Sequence, residues 1–93
     1  MNKIIELRTS EIKNYADVHY WLAAKLQLPD YYGHNLDSLW DCVSGAISLP
    51  VTVLWYDDAE VSDQYTSITN LFEEAAGEID DFEFGYIEDE NGA

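Results

Sequence analysis

Two aspartates four positions apart are the residues of this chain whose type and spacing best suit specific chemistry. Asp37 and Asp41 share one face of any helix that contains both. Two like charges at this spacing destabilise an isolated helix by roughly 0.2–0.5 kcal/mol, and the helix dipole favours only Asp37, in the first turn. Tyr31 and Tyr32 come shortly before them. Carboxylates beside aromatic rings suit a surface that binds a cationic cleft, although a solvated acidic face beside core aromatics has the same pattern.

An enzyme active site is an alternative use of these residues. A carboxylate pair with His19 or His34 could supply an acid and a base. However, carboxylates at this helical spacing are not a metal signature, and the sequence contains no HExxH, CxxC or phosphate-binding loop. His19 is predicted to be structural or exposed, and Cys42 to be a small buried hydrophobe whose pKa is raised. We therefore predict that the chain is not an enzyme and uses no metal and no cofactor.

The charge of the chain restricts its partners. Nineteen Asp and Glu residues accompany four Lys and Arg residues, for a formal net charge of -15. All four basic residues precede Gln27, whereas sixteen of the carboxylates follow it. Such a field repels nucleic acid and anionic membranes and attracts cationic partners. A role in solubility alone accounts for the same composition.

The elements that must position Asp37 and Asp41 follow from the hydrophobic pattern. Runs of β-branched and aromatic residues predict three short strands at Lys3–Leu7, Val51–Tyr56 and Phe82–Ile87. The continuous apolarity of the second run favours a strand that is buried on both faces. Residues 57–60 are predicted to form a turn or a short helical piece.

Helical spacing predicts three helices between these strands. The first follows an N-cap at Asn14 and ends before Pro29. The second is capped by Asn35 and ends at Gly45, and the third ends at Gly77. Their apolar stripes are predicted to be Val18, Trp21, Leu22, Lys25 and Leu26, then Leu36, Leu39, Trp40 and Val43, then Tyr65, Ile68, Leu71, Phe72 and Ala75.

This order predicts an α/β fold, a small three-stranded parallel sheet packed with three to four helices and joined by right-handed crossovers. The length predicts a single domain over residues 1–93, with 89–93 as a frayed tail. The N-terminal residues do not have the pattern of a signal peptide, and no apolar run is long enough to span a membrane. We expect a cytoplasmic protein.

The segment from Leu28 to Pro50, LPDYYGHNLDSLWDCVSGAISLP, resembles the signature segment of the barstar family. The similarity is dense and ungapped from Tyr31 to Cys42, and a weaker similarity covers nearly the whole chain. Barstar is the intracellular inhibitor of the secreted ribonuclease barnase. The family fold is a three-stranded parallel sheet with helices, which agrees with the elements predicted above.

The resemblance implies roles for individual residues. Asp37 and Asp41 match acidic residues that enter the nuclease active site, where arginine can bind a carboxylate in place of a phosphate. Tyr31 matches an aromatic residue that packs over the catalytic histidine of the nuclease. Glu74 matches an acidic residue of a later helix that adds a salt bridge. The remaining predicted partner contacts lie on or beside the binding helix: Asn35, Leu36, Ser38, Trp40, Ser44 and Gly45.

The chain departs from the family pattern at several positions. Barstar has Trp where this chain has Ala46, at the interface rim, and Glu where it has His34. The Leu49–Pro50 bond aligns with a cis bond in the family, in which Tyr precedes the proline. Residues 57–67 form a shorter, divergent segment, so a helix there is expected to be reduced or lost. These departures concern the identity of the partner more than the binding mode.

The resemblance therefore implies an acidic inhibitor that occludes the active site of a basic ribonuclease in a 1:1 complex and protects the producing cell. The ribonuclease is either a barnase-like enzyme or the nuclease domain of a toxin. The alternative is an acidic nucleic-acid mimic or a regulatory module that acts on another basic protein. Neither hypothesis involves direct contact with nucleic acid or a membrane.

Overall fold

Three parallel strands form one sheet in the computed structural model, which describes residues 3–58 and 62–88. The strands are β1 (Lys3–Arg8), β2 (Val51–Asp57) and β3 (Phe82–Glu88). Their order across the sheet is β1-β2-β3, so β2 pairs with both of the others. The predicted α/β class and three-stranded parallel sheet are confirmed.

The connections between the strands contain the helices. The α-helices are α1 (Val18–Leu26), α2 (Leu36–Gly45) and α3 (Thr66–Glu78). Short 3-10 helices span Thr9–Asn14 and Ser62–Tyr65, the second of which lies in the segment where a reduced helix was expected. Within the described ranges, no helix is long and apolar enough to cross a membrane.

Asp17, and not Asn14, caps the first α-helix. Asn14 ends the preceding 3-10 helix, whereas Asp17 has an extended backbone and accepts hydrogen bonds from the N–H groups of His19 and Tyr20. The prediction of an N-cap at Asn14 is therefore wrong. Both residue types favour caps, and their order in the chain cannot show that a 3-10 turn precedes the α-helix.

The third α-helix begins and ends later than its sequence pattern indicates. Tyr65 lies in the 3-10 helix before α3, although its side chain still packs against the core. At the other end, α3 continues through Gly77 to Glu78, and the N–H of Ile79 donates to the carbonyl of Ala75. The predicted end at Gly77 is wrong because Ile79 packs against the core and extends the helical register past the glycine.

Among residues 3–58 and 62–88, helices cover one face of the sheet and leave the other open. Along β2 every second residue is buried, and the residues between them, Thr52, Leu54 and Tyr56, are partly exposed. The prediction that this strand is buried on both faces is therefore wrong. In the order β1-β2-β3 both crossovers step in the same direction across the sheet, so right-handed connections place their helices on the same face.

The core lies between the sheet and the three α-helices. Trp21 of α1 meets Trp55 of β2 edge-on, with ring centroids 5.3 Å apart. Phe72 of α3 stacks on Phe84 of β3 at 5.4 Å. Phe72 is fully buried, which contributes roughly 1.5–3 kcal/mol of stability. These contacts fix which face of each helix remains in solvent.

The connection from α2 to β2 is tied to both neighbouring strands. It contains the Leu49–Pro50 peptide bond, which is cis, as the family resemblance implies. The carbonyl of Pro50 accepts from the N–H of Lys3 at 3.3 Å, and the N–H of Val51 donates to the carbonyl of Asp81 at 2.9 Å. This end of α2 is thereby held close to the sheet. The predicted turn at residues 57–60 and the predicted frayed tail at 89–93 include positions outside the described residues.

Candidate functional site

The second α-helix divides its residues between the core and solvent. Its buried residues are Leu39, Cys42 and Val43, spaced as one helical stripe. Asp37 and Asp41 are exposed on another face of the helix. The structure thus brings the two aspartates together on the surface, as their spacing predicts, and gives neither of them a place in the core.

Hydrogen bonds join the loop before α2 to the first turn of that helix. The side-chain oxygen of Asn35 accepts from the N–H of Ser38 at 2.8 Å, so the predicted cap is confirmed. The Ser38 hydroxyl accepts from the N–H of Gly33 at 2.7 Å. The amide nitrogen of Asn35 donates to the Gly33 carbonyl at 3.2 Å. Asn35 and Ser38 therefore shape the loop that carries Tyr31.

Adjacent tyrosines in this loop have opposite environments. Tyr31 is 74 % exposed, whereas Tyr32 is only 5 % exposed and belongs to the core. Burial raises the pKa of Tyr32 to about 12, with smaller contributions from Cys42 and Asp17. The buried ring of Tyr32 anchors the loop, so the ring of Tyr31 is presented to solvent next to α2.

The other predicted contact residues on α2 differ in exposure. Leu36, which was predicted on the apolar stripe, is 40 % exposed instead. Trp40 is partly buried and packs against the core. Ser44 and Gly45 are exposed in the last turn, which ends at Gly45 as predicted. Ala46, the residue at the predicted rim, is exposed directly after the helix.

Glu74, the predicted contact residue outside the α2 segment, lies on a different element. It is exposed on α3, which packs beside α2, while its neighbour Ala75 is buried. The sequence separates Glu74 from Asp41 by a strand and a 3-10 helix. Packing of α3 on α2 is what makes an acidic surface built from both helices possible.

The carboxylates of α2 are not neutralised within the described part of the chain. The ion pairs there join Arg8 to Glu6 at 3.9 Å and Lys25 to Glu11 at 3.0 Å, and neither reaches Asp37 or Asp41. Asp37 and Asp41 are therefore available to a cationic partner.

Cys42 lies directly behind this acidic face. Its side chain is 1 % exposed, as predicted for a small buried hydrophobe. Burial, and then the charge of Asp41, raise the pKa of its thiol. The thiol therefore stays protonated at neutral pH and packs as an apolar group.

A cluster of four rings, His19, Tyr20, Tyr32 and His34, joins α1 to the loop before α2, and Tyr20 was not among the residues predicted from the sequence. The ring of His34 meets Tyr20 edge-on at 4.6 Å between centroids and lies 5.1 Å from Tyr32 and 5.9 Å from His19. Tyr20 is 51 % exposed. Its position off the apolar stripe of α1 was the only available signal, because its contact with His34 is made across the loop.

The chemistry that this surface supports is recognition of positive charge. Among the residues at 3–58 and 62–88, no group of three or more His, Cys, Asp or Glu side chains could hold a metal ion. The ring nitrogen Nδ1 of His19 is engaged with the hydroxyl of Tyr32 at 2.7 Å. Exposed carboxylates beside an exposed tyrosine can bind arginine or lysine side chains through charge-assisted hydrogen bonds and ring contacts.

Comparison with known proteins places these observations in a family. A Bacillus subtilis (strain 168) protein named "Putative ribonuclease inhibitor YrdF" is 46 % identical over 54 residues, which are 58 % of this chain and 58 % of that protein. The match to this relative thus spans little more than half of its length. The family model described as Barstar (barnase inhibitor) matches residues 2–87, nearly the whole chain. This chain belongs to the barstar family.

Proposed function

We propose that this protein inhibits a basic ribonuclease by inserting the exposed face of α2 into the active site of the enzyme. The observation that carries the proposal is the pair Asp37 and Asp41, which are exposed on one helix and have no ion pair among the described residues. Family membership and the ribonuclease-inhibitor name of the relative support the same conclusion.

In the proposed complex the carboxylates take the place of substrate phosphates. A ribonuclease holds the phosphates of its substrate with cationic side chains, and a carboxylate offers arginine the same bidentate acceptor geometry. Tyr31 then packs against the nuclease beside these ion pairs, and Glu74 adds a charge from α3. The remaining contacts are proposed to come from α2 and its two ends: Asn35, Leu36, Ser38, Trp40, Ser44 and Gly45.

The proposed biological role is protection of the cell that makes the nuclease or receives it. One chain, acting as a single unit, would neutralise one nuclease in the cytoplasm. The enzyme is a barnase-like ribonuclease or the nuclease domain of a toxin, for which this chain serves as the immunity protein. Ala46 and His34, which replace Trp and Glu of barstar, favour a partner whose surface differs from that of barnase at these two points.

Titration of barnase with this protein, measured by RNA hydrolysis, tests the inhibition directly. We expect activity to fall linearly to zero at one equivalent. The double variant Asp37→Asn/Asp41→Asn is expected to lose inhibition. The matched double variant Glu78→Gln/Glu88→Gln removes the same charge from exposed positions and is expected to retain it. Equal inhibition by both variants would mean that α2 does not enter the active site.

If barnase is not inhibited, capture experiments with the same variants identify the partner class. Wild-type bait is expected to retain a basic nuclease from culture medium or lysate of the source cells, and the purified nuclease should be inhibited by it. Retention of a DNA-binding protein, with no effect on any nuclease, would contradict the proposal and favour the nucleic-acid mimic.

A further inference from the structure

A pair of stacked histidines lies beside the N-terminal end of α2. The rings of His19 and His34 have centroids 5.9 Å apart and planes inclined by 23°. His19 belongs to the first turn of α1, and His34 directly precedes the cap residue of α2. The pair therefore bridges α1 and the loop that carries Tyr31.

The backbone of His34 couples its ring to the conformation of this loop. Its φ angle is 58°, in the left-handed region that residues other than glycine seldom adopt. The hydrogen bond between Gly33 and Ser38 and the cap formed by Asn35 lie on either side of it. Contacts of its ring with Tyr20, Tyr32 and His19 hold it in this conformation. Displacement of the ring would therefore disturb the attachment of the loop to α2.

Protonation of His19 changes the hydrogen bond that it shares with Tyr32. The distance between Nδ1 of His19 and the Tyr32 hydroxyl is 2.7 Å. Because burial raises the pKa of Tyr32 to about 12, this hydroxyl keeps its proton in the neutral range and can donate it to Nδ1. An imidazolium ring can only donate. Uptake of a proton then forces the Tyr32 hydroxyl to turn and act as the acceptor.

The surroundings of His19 have opposing effects on its pKa. Burial lowers the pKa of His19, the carboxylate of Asp17 raises it, and His34 lowers it again, with a net lowering. Asp17 already accepts two N–H groups at the start of α1. The ion pair between Glu11 and Lys25 joins the first 3-10 helix to the last turn of α1, away from His19. On the α2 side, Cys42 helps to raise the pKa of Tyr32.

We propose that the His19–His34 pair makes partner binding sensitive to protons, so that acidification loosens the loop before α2 and weakens the complex. A proton on the pair places a positive charge at the positive end of the α2 dipole and towards a cationic partner. Both interactions are repulsive. The effect on the complex rests on the proposed function, whereas the response of the loop is a property of the free protein.

The free protein is tested by a nuclear magnetic resonance titration from about pH 8 to about pH 5, the range in which histidine changes charge. We expect the amide signals of Gly33 and Ser38 to move together with the imidazole signals of His19. In His34→Asn, a replacement that tolerates the left-handed backbone, His19 should titrate at higher pH and the amide shifts should shrink. In His19→Gln the amide shifts of Gly33 and Ser38 should disappear. Amide signals that stay constant while His19 titrates would overturn the proposal.

The complex is tested by measuring the Kd for barnase at about pH 7.5 and about pH 5.5, on either side of the ordinary histidine pKa. We expect acidification to weaken wild-type binding by at least about tenfold more than it weakens His34→Asn, within the usual range of coupling between sites. Protonation of groups in barnase itself affects the binding of wild type and of His34→Asn equally, so it cancels in the comparison. Equal weakening of the two proteins would refute the proton-sensitive pair while leaving inhibition intact. If neither protein binds at either pH, inhibition of barnase has failed, and the titration of the free protein still decides whether the loop responds.

Discussion

Asp41 occupies a position where a carboxylate does little for the fold. Its side chain is exposed, it has no ion pair among the described residues, and the next residue, Cys42, is buried. Asp37 lies one turn earlier and repels it, and the helix dipole does not favour a negative charge this far along α2. The described part of the chain therefore gives this carboxylate no evident role in folding, and this is the reason for proposing that it binds a partner.

Asp41→Ala is therefore expected to separate binding from folding. In the proposed complex the mutation leaves several nuclease cations buried without a counter-charge, a loss on the order of 2–5 kcal/mol or more, for which the barnase–barstar pair is itself a source. We expect a weakening of several orders of magnitude, mainly through faster dissociation. The free protein should gain roughly 0.2–0.5 kcal/mol of stability. Stopped-flow kinetics and thermal melts measure the two effects.

Glu78→Ala is the matched control for this mutation. It removes the same charge from an exposed position at the end of α3, so it alters the overall field equally. We expect it to change the association rate slightly and the dissociation rate very little. If Asp41→Ala unfolds the protein but spares inhibition per folded molecule, Asp41 has a structural role and the site assignment is wrong.

Ala46 gives a second prediction at the scale of one residue. It is exposed immediately after α2, where a larger side chain meets no core packing. Ala46→Trp is expected to improve binding to barnase by about three- to tenfold, as one added aromatic contact does, and to leave the unfolding midpoint nearly unchanged. Titration calorimetry on both proteins measures the gain. An unchanged affinity would place Ala46 outside the interface.

At the scale of an element, α2 depends on its cap. Asn35 is its N-cap, and a second hydrogen bond to the Gly33 carbonyl ties the loop to the same residue. Asn35→Ala is expected to lower the free energy of unfolding by about 1 kcal/mol, as measured by urea denaturation. Asn14→Ala, which changes an exposed asparagine at the end of a 3-10 helix, should cost much less. Equal losses of unfolding free energy in the two variants would show that Asn35 does not stabilise the protein as a cap of α2.

Hydrogen bonds also join the segment that follows β1 to the residue that follows β2. Burial alone would raise the pKa of Asp58, but hydrogen bonds from the N–H and hydroxyl of Ser10 and from the hydroxyl of Thr9 outweigh it, so the pKa lies below 3.8. A carboxyl whose pKa is lower in the folded state than in the unfolded state stabilises the fold at pH values above its unfolded-state pKa. That contribution disappears as the pH falls through the folded pKa.

Asp58→Asn should therefore remove stability at neutral pH and much less in acid. We expect the difference in unfolding free energy between wild type and variant to shrink as the pH falls below about 4, because the wild-type carboxyl then takes up a proton too. Chemical denaturation at a series of pH values measures this difference. A difference that is constant across the series would show that the hydrogen bonds to Ser10 do not depend on the charge of Asp58.

At the scale of the whole molecule, the net charge of -15 sets the rate of encounter with a basic partner. No Lys or Arg follows Lys25, so the elements from α2 onward carry one sign of charge. We expect fast association with a basic ribonuclease and a rate that falls steeply as salt rises. The barnase–barstar pair is the standard example of such steering, and the prediction carries it over to this chain. An association rate independent of salt in stopped-flow experiments would reject it.

Local patterns in the sequence determined most of the elements. The three strands, the ends of α2 and the cap at Asn35 follow from side-chain period and capping chemistry, which act within a few residues. The same local geometry determined that Asp37 and Asp41 share a face, and the motif from Tyr31 to Cys42 indicated the family. The errors at Asn14 and Gly77 arose where a 3-10 helix and a core contact at Ile79 overrode a local signal.

Only the tertiary structure decided which faces meet. The apolar sequence of β2 suits a sheet that is covered on both faces. One face is open because, in the strand order β1-β2-β3, both crossovers run in the same direction and place their helices on the same side. Packing of α3 on α2 places the helix that carries Glu74 beside the helix that carries the aspartates, and the left-handed turn at His34 stacks its ring on His19 of α1. These contacts join residues distant in sequence, so they depend on the packing of whole elements and not on any local pattern.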